Sequence, residues 1–165
     1  MWTLKLTEIP LKAVPQKEHE WLQRLVGDWT CEIEASMEPG KPSEKSKSDE
    51  RVRTLGGVWV VCEGRGEMPG AGPVESVMTL GFDPAKGRFV GTFIASMMTN
   101  LWIYEGTLAG NVLTLATEGP SMAGDGTLAK YHDVIEILDN DRRTLTSSLV
   151  GTKQPFMTAR YRRVR

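Results

Sequence analysis

Trp29-Thr30-Cys31-Glu32-Ile33-Glu34-Ala35-Ser36-Met37 carries an apolar residue at every odd position and a polar one at every even position. Side chains of an extended chain alternate between two faces, so this stretch reads as a strand with one face in a core and the other in water. Upstream the period changes. Trp21, Leu22, Leu25 and Val26 recur at three- and four-residue spacing, Glu18 and Glu20 lie near a helix's positive end, Pro15 suits a first helical position and Gly27 supplies a stop. The spacing predicts one short helix over 15–26.

Downstream, residues 38–47 read as a loop, with Pro39, Gly40 and Pro42 among Ser and Lys residues. Strand-like runs then follow at 48–55, 58–67, 74–82, 88–98, 101–108, 112–118, 128–138, 144–150 and 156–164. Gly56-Gly57, Asp83-Pro84, Thr99-Asn100, Gly110-Asn111, Asp139-Asn140-Asp141 and Gly151 mark turns between them. Connections this short join antiparallel neighbours, because a parallel crossover needs about a dozen residues or more. About ten meandering strands leave two open edges unless the sheet closes. The expected fold is therefore all-β, an up-and-down antiparallel barrel of about ten strands with a short N-terminal helix. A barrel of roughly this strand number has room for one small ligand.

Composition narrows the partners. The 165 residues hold 20 Lys+Arg against 21 Asp+Glu, a formal net charge of −1, which gives no bulk attraction for nucleic acid or an anionic membrane. The longest apolar run, 58–62, is far short of the roughly 20 residues of a membrane-spanning helix. Lys5, Glu8, Pro10 and Lys12 interrupt the opening stretch, so no export signal is read there and a cytoplasmic location is expected. Cys31 and Cys62 stand singly, and are expected as buried, reduced thiols rather than metal ligands or a redox pair.

Gly27-Asp28-Trp29, following a short helix, resembles the Gly-x-Trp opening of lipocalin-like, or calycin, barrels. Further along stand Leu80-Gly81-Phe82-Asp83-Pro84, Gly87-Arg88-Phe89-Val90-Gly91-Thr92, Leu101-Trp102-Ile103-Tyr104-Glu105-Gly106, Tyr131-His132-Asp133-Val134-Ile135-Glu136 and Ala159-Arg160-Tyr161-Arg162-Arg163. Together they resemble the bacterial domain-of-unknown-function family numbered fifteen-seventy-nine, a lipocalin-like barrel family. The resemblance spans about residues 15–165 and leaves 1–14 as an N-terminal arm. It implies a single calycin-like domain and no particular activity. It also implies that Trp29 closes one barrel end beneath an arginine of the last strand, with Arg160 and Arg162 as the candidates. Related haem-carrying barrels use one His as axial ligand, but Thr30-Cys31-Glu32 lacks the further glycines those barrels show, so no haem or other cofactor is expected.

Catalytic spacings are missing: there is no Gly-x-Ser-x-Gly, Gly-x-Gly-x-x-Gly or His-Glu-x-x-His. Asp139-Asn140-Asp141 lacks the glycine and terminal glutamate of a calcium loop, so no metal is expected. His19, on the helix, is expected exposed or hydrogen-bonded to a loop. Met78, Leu80 and Phe82 on one strand and Phe89, Phe93 and Met97 on the next lie at period two, as core or as cavity lining. Trp102 and Tyr104 share a face that lines the cavity or forms an outer patch for a second subunit. Tyr131, Asp133, Ile135 and Ile137 make the more apolar set of their strand, which sends Asp133 inward and His132 outward. Glu63 and Arg65 share one face and are placed with Asp133 as ionisable candidates in the interior.

The expected function is binding of a small apolar molecule by Met78, Phe93, Met97, Trp102, Tyr104, Asp133, Glu63 and Arg65. Two alternatives stand beside it. One is an enzyme that uses acid–base chemistry on a small lipophilic substrate. The other is an interaction module that forms a homodimer through the arm, where Trp2, Leu4 and Leu6 alternate.

Overall fold

The computed structural model of the chain describes residues 12–36, 38 and 40–165. Trp2, Leu4 and Leu6 of the proposed arm lie outside the described residues. One helix, α1 (Lys17–Gln23), is followed by β1 (Gly27–Ala35), β2 (Glu44–Leu55), β3 (Trp59–Met68), β4 (Gly72–Asp83) and β5 (Arg88–Ala95). Then come β6 (Trp102–Ala109), β7 (Val112–Pro120), β8 (Leu128–Ile137), β9 (Arg142–Leu149) and β10 (Met157–Arg163). Each strand pairs antiparallel with its sequence neighbours, and β1 pairs with β10 from Trp29↔Arg163 to Ala35↔Met157, which closes the barrel. Closure satisfies both edges that a ten-strand meander would otherwise expose.

The helix is shorter than its apolar spacing predicts. Gln16 is extended (φ −109°, ψ 176°), so Pro15 stands ahead of the cap rather than in the first turn. After Gln23 the chain tightens into three-residue turns, with Leu25 N–H donating to Leu22 and Val26 N–H to Gln23. Leu22 and Leu25 are thereby fully buried across the barrel end. His19 is not exposed: its Nδ1 accepts the Gln16 N–H and its Nε2 donates to the Phe82 carbonyl, each at 2.9 Å, tying α1 to β4.

β2 starts at Glu44, inside the predicted loop. Lys45, Lys47, Asp49 and Arg51 face water while Ser46, Ser48 and Glu50 face inward, so both faces are polar and no apolar period marks the strand.

Trp29 seals the helix end, donating its indole N–H to the Leu25 carbonyl at 2.8 Å. The arginine across it is Arg163, 4.2 Å from the ring, rather than Arg160 or Arg162. The register explains the correction, because Arg163 lies opposite Trp29 on the inward parity while Arg160 and Arg162 lie opposite Glu32 and Thr30 on the outer face. Gly27, at φ +142°, leaves space that a Cβ would take from the Arg163 guanidinium.

Candidate binding cavity

Five of the eight predicted lining residues point into the barrel. Met78, Phe93 and Trp102 sit side by side across β4, β5 and β6 in the pairings Met78↔Phe93 and Phe93↔Trp102. Tyr104 follows Trp102 on the same face and is 2 % exposed, so this pair belongs to the interior and not to an outer patch. Asp133 also faces inward, and His132 outward.

Three expectations are corrected. Glu63 and Arg65 lie on the outer face, near Arg53 (3.8 Å) and Glu75 (3.4 Å), because Cys62, Gly64 and Gly66 occupy the inward parity of β3. Met97 is 43 % exposed in the turn after β5, since the strand ends at Ala95 and the Met98 N–H turns back to the Ala95 carbonyl. Its neighbour Met98 is the one that reaches the wall: its sulfur accepts the Trp102 indole N–H at 3.0 Å.

Burial of the inward set divides the barrel into two halves. Near α1, Val52, Val60, Leu80, Phe89, Leu113 and Ile137 are buried, several of them completely. Each such side chain contributes about 1.5–3 kcal/mol to folding. In the other half, Ile33, Ser46, Ser48, Gly64, Gly66, Val74, Ser76, Phe93, Trp102, Asp133 and Met157 are only half-buried although they face inward. Among the inward side chains of this half Met78, Ala95, Thr117, Tyr131 and Ser147 are buried, so its inner face is open to water in part, toward the barrel end away from α1.

The wall also parts there. The β2–β3 ladder stops at Ser48↔Gly66, while β2 extends to Glu44 and β3 to Met68. A concavity of about 1010 Å³ lies at this parting. It is lined by inward Cys31, Ser46, Ser48 and Gly66 and by outward Lys47, Asp49, Arg65 and Glu67, as a gap between strands requires. The β6–β7 ladder likewise begins only at Glu105↔Ala116, and the Trp102 indole fills that gap against Gly119, where a Cβ would collide with it.

Two polar groups cross the interior. Tyr104 Oη donates to Asp133 Oδ2 at 2.5 Å, and Ser147 Oγ donates to Asp133 Oδ1 at 2.6 Å. Burial pushes the Asp133 carboxyl above its ordinary value, against the downward pull of those two hydroxyls. Burial and the neighbouring carboxylate hold the Tyr104 phenol far above its own. Nearer α1, Arg143 pairs with Glu50 and stacks 3.7 Å from Tyr161 and 4.6 Å from Trp29. Sequence reasoning missed Ser147, Arg143 and Glu50. The parity of Leu145 and Leu149 on β9, and of Val52 on β2, would have placed all three inside.

Among the described residues no three His, Cys, Asp or Glu side chains converge as a metal site. No helix among them is long and apolar enough to cross a membrane.

A family model described as "Protein of unknown function (DUF1579)" matches residues 14–163. The chain belongs to this family. The crystal structure of Rv2717c from M. tuberculosis is similar to the DUF1579 barrel, with a TM-score of 0.63 at 15% identity, covering 92% of this chain and 100% of that one. S-type phycobiliprotein lyase CPES from Guillardia theta is similar with a TM-score of 0.56 at 14% identity, covering 92% and 99%. At these identities the likeness is one of fold. No curated protein matches the chain.

Proposed function

We propose that this DUF1579 barrel binds one small, largely apolar molecule in the half of its interior away from α1. The carrying observation is the burial contrast along the inward parity: sealed aliphatic packing beneath, half-exposed Phe93, Trp102 and Met157 above. Phe93, Trp102, Met98 and Met78 form an apolar wall, and the two methionines can reshape it. The parting between β2 and β3 offers a way in from the side. Titration with Nile red, a neutral apolar dye, tests the reading. Saturable one-to-one binding that weakens in Phe93→Trp, which fills the space, is the expected result; a dye that never saturates sinks it. Native mass spectrometry of the purified protein would show directly whether a small molecule accompanies it.

Asp133, with its raised carboxyl beside open space, favours a second reading: acid–base chemistry on a bound lipophilic molecule. Under that reading a co-purifying molecule changes in mass on incubation with the wild type and not with Asp133→Asn.

A further inference from the structure

We infer that the molecule held in this cavity carries a hydrogen-bond donor at its polar end, a protonated amine above all, and is not a carboxylate. The inference rests on the binding reading above and concerns which head group the open half selects.

Tyr104 and Ser147 each own one hydroxyl hydrogen, and both point at Asp133. These contacts, at 2.5 and 2.6 Å, put one hydroxyl donor on each carboxyl oxygen, and a cation beside them would hold Asp133 in its ionised form. The lone pairs that remain on Asp133, Tyr104 and Ser147 can only accept. Tyr104 and Ser147 are buried, whereas Asp133 is half-buried. Tyr131 Oη donates to the Pro120 carbonyl at 2.7 Å and the Trp102 indole to Met98, while the inward Ser46 and Ser76 hydroxyls, on β2 and β4, can serve a ligand in either sense. Thr117 Oγ1, inward and opposite Tyr131, is buried without a protein partner and can serve a ligand in either sense.

Cations are absent from this half of the inward set among the described residues. Arg143 is 3 % exposed, paired with Glu50 and enclosed by Trp29 and Tyr161. Arg163 sits beyond it at the helix end, donating to the carbonyls of Val26, Arg24 and Asn140. Asp133 has no ion-pair partner among the described residues. A carboxylate ligand would therefore place a second negative charge beside Asp133 in a partly desolvated space, while an ammonium would neutralise it and donate up to three hydrogen bonds.

Displacement of Nile red by decylamine, decanol and decanoate at pH 7 tests the head group with the chain held constant. Decylamine is expected to displace the dye at about one tenth of the decanoate concentration or less, the worth of one charge-assisted hydrogen bond, with decanol between. In Asp133→Asn and Asp133→Ser, each measured against its own Nile red affinity, the displacing concentrations of the three compounds should converge. Decanoate displacing as well as or better than decylamine from the wild type would overturn the inference, and so would a preference that survives in both variants. If one variant does not fold, as judged by its melting curve, the other and the wild-type series still decide. Failure of Nile red to bind the wild type at all identifies the cavity reading itself as the one in error.

Discussion

Arg163 lies over the Trp29 indole at 4.2 Å and donates to the carbonyls of Val26, Arg24 and Asn140 at 2.6, 2.9 and 2.8 Å. One planar guanidinium thus ties the last strand to the α1–β1 turn and the β8–β9 turn, and holds the ring that seals the barrel. Two of the carbonyls lie in the stretch between α1 and β1, which has run out of regular helix partners, so the contact stands in for a helix C-cap. Arg163→Ala is expected to cost about 2–3 kcal/mol in urea unfolding, from lost charge-assisted bonds and lost stacking. Arg163→Lys should recover less than half, because an ammonium cannot span three carbonyls and lie flat on the indole. Full recovery by lysine would show that charge alone is at work.

The Glu50–Arg143 pair predicts a different pattern. Both groups lie deep in the interior, and removing one strands the other in a place of low polarity. Glu50→Gln or Arg143→Met alone should destabilise by about 3–5 kcal/mol. The double variant Glu50→Leu with Arg143→Met should cost clearly less than either single change, since both charges leave together. A double-mutant cycle by chemical unfolding measures this; additive losses would mean that the two side chains act independently.

These two contacts show which parts of the structure a reader of the chain could reach. The alternation from Trp29 to Met37, the turns and the strand count all follow from period and punctuation, and they lead to the closed sheet. The inward parity of Asp133 is legible because Tyr131, Ile135 and Ile137 share it and outweigh Asp133 in apolar character. The start of β2 is hidden because its inward Ser46 is as polar as the outward Lys45 and Lys47, so only 48–55 reads as strand. β3 reads in the opposite sense: Gly64 and Gly66 face inward without hydrophobic signal, which leaves the outward Glu63 and Arg65 as the conspicuous pair. Arg163 needed the register of β1 against β10, a pairing across 134 residues that no local pattern encodes.

The thiols carry a kinetic prediction. Burial pushes the Cys31 thiol up to about 11, despite hydrogen bonds with Ser48 and Tyr161 that pull it down. Cys31 borders the opening at β2–β3, but its side chain is buried and little thiolate is present to react. At pH 8 iodoacetamide should modify it roughly two orders of magnitude more slowly than an ordinary free thiol. Cys62, fully enclosed and raised further still, should remain unlabelled until the protein unfolds. Rapid labelling of Cys31 in the native protein, read by intact mass, would show that its surroundings favour the thiolate after all.

Asp133 carries the last prediction, and its sign is opposite to that of a salt-bridged carboxylate. Its folded value lies above 3.8, the unfolded one, because burial outweighs the two hydroxyl donors. The folded protein therefore binds the Asp133 proton more tightly than the unfolded chain does. Its contribution to stability is fully present below pH 3.8 and is lost as pH rises through the raised folded value. Asparagine at this position cannot ionise, so Asp133→Asn should gain stability relative to the wild type as pH rises from 3.8 through the raised folded value, whatever its offset at low pH. Urea unfolding of both proteins across that range measures the difference. A stability gap that stays constant would mean that Asp133 titrates alike in the folded and unfolded chains, and a gap that moves in the wild type's favour would mean that Tyr104 and Ser147 outweigh burial.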